Sequence, residues 1–95
     1  MDKLSDEQRN EALERLSDWR EHDEAISRTF HLKDFARAID FVNAVAEMAE
    51  DVDHHPDIDV RYNKVTITLT THSVGGLTRN DIELAAGIDD IATAA

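Results

Sequence analysis

Phe35, Ala38, Ile39, Val42, Val45, Ala46 and Ala49 recur at steps of three and four, while Asp40, Asn43, Glu47 and Glu50 lie largely off that line. Such spacing puts one continuous apolar stripe on a helix and predicts a long central one. Pro56 cannot continue it, because proline lacks an amide donor and biases His55 away from helical angles, so residues 51–58 read as a loop. Upstream, Ser5-Asp6-Glu7-Gln8 has the form of a capping box and Ala12, Leu13 and Leu16 follow at helical spacing, predicting a first helix over about 6–17. Between the two helices the period changes. Trp19 to His22 and Ala25 to Leu32 read as strands around Asp23-Glu24, with Ile26, Phe30 and Leu32 on one face, Ser27, Thr29 and His31 on the other, and Arg28 interrupting the apolar side. After the loop, Val60, Tyr62, Val65, Ile67 and Leu69 alternate with polar residues, which predicts a second strand pair joined at Asn63-Lys64 and ending near His72. Asn63 suits such a turn because asparagine tolerates positive φ.

Gly75-Gly76 then breaks the chain, and Thr78 with Asp81 three residues on caps a last helix. On a helical wheel this helix has two apolar arcs, one of Ile82, Ala85 and Ala86, the other of Leu84, Ile88 and Ile91. One arc can cover a sheet; the other is expected to meet a second copy of the chain. The alternative is a frayed terminus with incidental isoleucines. Helix, two strands, helix, two strands, helix leaves no long crossover for a parallel sheet. The expected fold class is α+β: a four-stranded antiparallel sheet with helices packed on one face, a two-layer sandwich. Residues 1–95 form one domain in this reading, without linker or repeat.

Composition narrows the function classes. With 41% hydrophobic and 33% charged residues the chain is globular in balance, and its lack of cysteine excludes disulfides, thiolate catalysis and cysteine-ligated zinc. No apolar stretch is long enough for a membrane span, and the acidic N-terminus does not read as a secretory signal, so a cytoplasmic protein without membrane partners is expected. The net charge of -11 repels phosphate backbones over most of the surface, which argues against direct nucleic-acid binding. Two readings of that charge stay open: a solvated surface that aids solubility, or adaptation to high salt.

Three of five histidines fall at predicted element ends: His54 and His55 in the loop after the central helix, His72 at the close of the fourth strand. Imidazole exchanges protons near neutrality, so converging histidines suit reversible proton transfer. The residues leave alternatives. His-His-Pro also occurs in ordinary polar loops; three histidines with Asp81 could ligate zinc or iron, although no HExxH-like spacing supports it; and Asp81 could serve its helix cap alone. His22 and His31 read as structural or solvated, and Gly75-Gly76 is a weak anion-site signal.

Glu50-x-x-x-His54-His55-Pro56, then Tyr62-Asn63-Lys64-Val65-x-Ile67-x-Leu69-x-Thr71-His72, then Gly76-Leu77-Thr78-x-x-Asp81, together with Phe30-His31-Leu32-Lys33-Asp34-Phe35, resembles the pterin-4a-carbinolamine dehydratase family over about Trp19 to Ile88. Animal members of that family are also known as the dimerisation cofactor of a hepatocyte transcription factor. The resemblance implies the α+β fold above, assembly as a homodimer or homotetramer, and no metal or organic cofactor. It implies dehydration of 4a-hydroxytetrahydropterin to quinonoid dihydropterin. The family's catalytic histidines fall on His54, His55 and His72, its supporting aspartate on Asp81, and a nearby acidic position on Glu50, with Pro56 shaping the loop. His54 and His72 are the expected acid/base pair, with their order open; His55 would hold or polarise the pterin. Trp19 matches an aromatic near the family's substrate site, but a core tryptophan is the favoured role. The acidic surface departs from the family pattern, and no motif supports the transcriptional role. Action on another pterin, such as a molybdopterin-pathway intermediate, and a non-catalytic oligomerisation module are the other readings.

Overall fold

A computed structural model describes residues 2–95. Helix α1 spans Asp6–Arg15. Its start is the expected capping box: the Gln8 amide donates to Ser5 Oγ (3.1 Å) and the Ser5 amide donates to Gln8 Oε1 (2.9 Å). It ends two residues earlier than the stripe predicts, because Leu16 leaves helical angles and both Leu16 and Trp19 drop into the core.

Strands β1 (Arg20–His22) and β2 (Ala25–His31) form the first hairpin. Asp23 and Glu24 both take positive φ, 51° and 64°, as a two-residue primed turn requires. Strands β3 (Asp57–Arg61) and β4 (Lys64–Leu69) form the second, and the sheet order is β1-β2-β4-β3, antiparallel throughout. The second turn differs from expectation by one residue. It lies at Tyr62-Asn63, and the positive φ (54°) belongs to Tyr62. Asn63 is occupied otherwise: its carbonyl accepts the Leu32 amide and its side-chain amide donates to the Leu32 carbonyl, both at 2.8 Å, which ties the hairpin to the end of β2.

Ile26, Phe30, Val65, Ile67 and Leu69 form the buried face of the sheet. Helices α2 (Phe35–Val52) and α3 (Arg79–Ala94) complete the core, giving the expected two-layer α+β arrangement. The opposite face carries Ser27, Thr29, Thr66, Thr68 and Thr70 and stays polar. Arg28, the interruption in β2, does not break the core. Its guanidinium lies 4.3 Å from the Phe30 ring centroid and donates to Asp89 Oδ1 at 2.7 Å.

Three details depart from the sequence pattern. On α2 the buried residues are Ala38, Phe41, Val45 and Ala49, so the stripe is rotated toward Phe41, which packs on Phe30 with centroids 4.8 Å apart; Phe35 is left exposed. On α3 the buried face is Asp81, Leu84, Ala85 and Ile88, which draws from both predicted arcs. Leu84 and Ile88 therefore belong to this chain's own core and not to a free arc, while Ile82 and Ala86 line a cavity against α1. Finally, β4 ends at Leu69, three residues before His72. Thr71 instead bridges to Gly76, and His72–Val74 make a single 3₁₀ turn closed by Gly75 at φ 67°. Gly75 is needed there, because a side chain at that φ is strained. Among the described residues no helix is long and apolar enough to cross a membrane.

Candidate active site

The end of α2 sets where His54 lies. Asp53 sits in the left-handed region (φ 51°, ψ 45°), its amide bonds the Glu50 carbonyl (3.3 Å), and the His54 amide bonds the Ala49 carbonyl (3.1 Å). That pair of bonds is a Schellman helix end, here with aspartate where glycine is usual. It reverses the chain at a defined angle, and Pro56 then feeds it into β3. His54 thus leaves the helix pointed back at the neighbouring α3.

There it meets Asp81, the third residue of α3. His54 Nε2 and Asp81 Oδ1 are 2.5 Å apart, with the His54 side chain 13% exposed and Asp81 fully buried. The second carboxylate oxygen is also used. Asp81 Oδ2 accepts the Thr78 amide at 2.9 Å, completing the helix cap, and the Thr71 hydroxyl at 2.8 Å. The cap role and the histidine role expected as alternatives for Asp81 are therefore both present, one on each oxygen. Asp81 accepts two donors on Oδ2, and an ionised carboxylate can only accept; as such it takes the proton of His54 Nε2 on Oδ1, which leaves Nδ1 without a protein partner among the described residues.

Thr71 connects this carboxylate to the third histidine. His72 follows it directly and opens the 3₁₀ turn, exposed to solvent. His72 is thus tied to the Asp81 region through the backbone of Thr71, 18 positions after His54 (72 minus 54). His55 points to the other side of the loop. Its Nε2 pairs with the Glu50 carboxylate, and both side chains are largely exposed, at 56% and 73%. Pro56 is half-buried beside them.

Trp19 is not brought to this cluster. It is 4% exposed, meets Phe30 edge-on at 6.1 Å, and donates its indole N–H to Asp89 Oδ1 at 2.9 Å. Asp89 lies eight residues past Asp81, about 12 Å along the α3 axis. Its indole is buried in the core.

Cavities of about 600 Å³ (Phe41, Ala44 and Ile91), 370 Å³ (Ala12, Leu16 and Ile82), 80 Å³ (Met48 and Leu84) and 500 Å³ (Lys3, Gln8 and Arg79) take no lining from His54, His55 or His72. Among the described residues no three His, Cys, Asp or Glu converge as metal ligands. Sequence reasoning missed Thr71 and Thr78 as parts of this cluster. Thr78 was legible only as a cap, and nothing in a lone threonine before a histidine signals a carboxylate partner ten residues on.

What the arrangement offers is an oriented imidazole backed by a buried carboxylate, an exposed histidine that follows the threonine holding that carboxylate, and a third histidine paired with Glu50. Such a set can move protons at a bound heterocycle.

Comparison with known proteins identifies the family. The family model described as Pterin 4 alpha carbinolamine dehydratase matches residues 2–91. A curated protein of Nocardia farcinica, provisionally named pterin-4-alpha-carbinolamine dehydratase, is 54% identical over 94% of this chain and 94% of its own length. A crystal structure from Brucella melitensis, described as a transcriptional coactivator/pterin dehydratase, superposes with a TM-score of 0.92 at 43% identity, covering 96% of this chain and 99% of that one. A pterin dehydratase-like protein described as a RuBisCO assembly factor of the alpha-carboxysome shares the fold at TM-score 0.66 and 24% identity, over 78% of this chain and 86% of that one.

Proposed function

The chain belongs to the pterin-4a-carbinolamine dehydratase family, and from that premise we propose that it dehydrates 4a-hydroxytetrahydropterin by histidine acid/base catalysis. The observation that carries this reading is the His54–Asp81 contact, with His72 one residue from the threonine that holds the same carboxylate.

Loss of water from C4a breaks the C4a–O bond and removes the N5 proton, leaving a C4a=N5 double bond. One group must protonate the departing hydroxyl and another must accept the N5 proton. His54 suits the base: its free Nδ1 takes the proton, and the Asp81 carboxylate stabilises the imidazolium that forms. His72, exposed at the start of the 3₁₀ turn after Thr71, supplies the proton to oxygen in this reading. His55, steadied by Glu50, borders the ring, and Pro56 fixes the loop between them. Trp19 supports this site only through the core it fills. No metal or organic cofactor has a step in this scheme.

4a-Hydroxytetrahydrobiopterin is the leading substrate, and a 4a-hydroxytetrahydropterin with another side chain is the second reading. The protein is proposed to work in the cytoplasm as a homodimer or homotetramer. Phe35 and Val52, both more than half exposed on α2, and the apolar cavity of about 600 Å³ beside Phe41 support self-association.

Stopped-flow dehydration of synthetic 4a-hydroxytetrahydropterin tests the reading. His54→Ala and His72→Ala are each expected to lower the rate by about 10²–10⁴-fold with the fold intact by circular dichroism. Rates within a few-fold of wild type in both variants would refute histidine catalysis.

A further inference from the structure

The hydrogen bonds behind Asp81 have a direction that their chemistry settles. A carboxylate only accepts, so the Thr71 hydroxyl spends its one proton on Asp81 Oδ2 at 2.8 Å. The Thr71–Thr78 hydroxyl contact of 2.9 Å must then run from Thr78 to Thr71. Thr78 Oγ in turn accepts the Asn80 amide at 3.2 Å. A single chain of donors, Asn80 to Thr78 to Thr71, thus ends on the carboxylate that faces His54. Thr78 and Asp81 are fully buried and Thr71 half-buried, so water does not readily substitute for these donors.

From this geometry we infer that Thr71 and Thr78 are positioning residues of the acid/base site: their hydroxyl relay holds Asp81 so that His54 keeps its proton on Nε2 and offers Nδ1 to the substrate. Neither threonine touches the reacting atoms. Each acts through Asp81. The geometry also accounts for the Thr71–Gly76 bridge, which stops β4 from running on and turns the Thr71 side chain toward α3. Because His72 is the next residue, the same bridge sets the starting point of the second histidine.

The inference deepens the proposed dehydratase activity, yet its first test needs no substrate. Nitrogen-15 spectra of the free protein should assign wild-type His54 as the Nε2–H tautomer. Thr71→Val keeps the branched shape and removes the hydroxyl, and should shift His54 toward a mixture of tautomers. Thr71→Ser should restore the wild-type spectrum. In the dehydration assay Thr71→Val should lose about tenfold in kcat with little change in KM, and Thr71→Ser should recover it. A wild-type His54 protonated on Nδ1 would overturn the relay. So would a Thr71→Val protein that melts earlier but leaves the His54 signals unchanged, since that is what a purely structural threonine does. If the wild-type chain fails to dehydrate the carbinolamine, the functional reading fails alone, and the spectra still decide the relay.

Discussion

At the scale of single residues, the site turns on how one carboxylate divides its oxygens. Asp81 Oδ2 serves the helix cap and Thr71, and Oδ1 serves His54. Asp81→Asn separates these duties. With the amide oxygen kept on the Thr78 and Thr71 donors, the NH₂ faces His54 and forces Nε2 to accept, which moves the ring proton to Nδ1. The dehydration rate is expected to fall by roughly 10²–10⁴-fold, as when a catalytic histidine is held in the wrong tautomer. Stopped-flow rates beside a thermal melt check this; a melt that collapses together with the rate would mean that the carboxylate matters only for folding. Arg28 shows the same economy elsewhere, since one Asp89 oxygen satisfies both its guanidinium and the Trp19 indole.

At the scale of elements, the C-terminal end of α2 has the greatest leverage, because its reversal angle aims His54. Asp53 holds the left-handed position that glycine takes without steric cost. Asp53→Gly is expected to leave the His54 placement and activity in place and to raise stability by about 0.5 kcal/mol, the relief of the left-handed conformation outweighing the entropy glycine adds to the unfolded chain. Asp53→Val should lose more than 1 kcal/mol, because a β-branched residue resists that region. Urea unfolding measures both. Equal midpoints for the two variants would contradict this account of the helix end.

At the scale of the whole molecule, charge dominates. Twenty-one acidic residues face ten basic ones, so even complete pairing leaves eleven carboxylates without a cation (21 minus 10). Their mutual repulsion acts over a Debye length of about 10 Å at 0.1 M salt and about 3 Å at 1 M. Screening should therefore raise the melting temperature by several degrees between 50 mM and 1 M NaCl, despite weakening exposed pairs such as Lys3–Glu24. A flat or falling melting temperature would show that the carboxylates are too well separated to repel. Light scattering in the same solutions should give two or four times 10.7 kDa. Ile88 and Leu84 are poor choices for disrupting that assembly, since both are core residues and their loss unfolds the chain first.

Much of this was legible without coordinates. Element order, sheet class, both hairpins and the capped helix starts follow from period and turn chemistry, because those signals are local: a helix stripe or an Asp23-Glu24 turn is written within a few residues. The ordered motif from Glu50 to Asp81 named His54 and Asp81, which the fold brings into contact, but the family resemblance placed Trp19 with them, which the fold does not. Local patterns could not say which of several apolar residues turn inward. Phe41 displaced Phe35 on α2, and Ala85 joined Leu84 and Ile88 on α3, because packing against Phe30 and the sheet decides a helix's rotation. Nor could they say that β4 would stop at Leu69, since a bridge from Thr71 to Gly76 ends it. Tertiary structure alone determined that Asp81 would be fully buried with Thr71 on one oxygen and His54 on the other, for those partners lie 10 and 27 positions away and no spacing rule connects them. Chain chemistry named the candidate proton carriers; the folding of α3 onto the end of α2 decided that His54 meets Asp81 through Nε2.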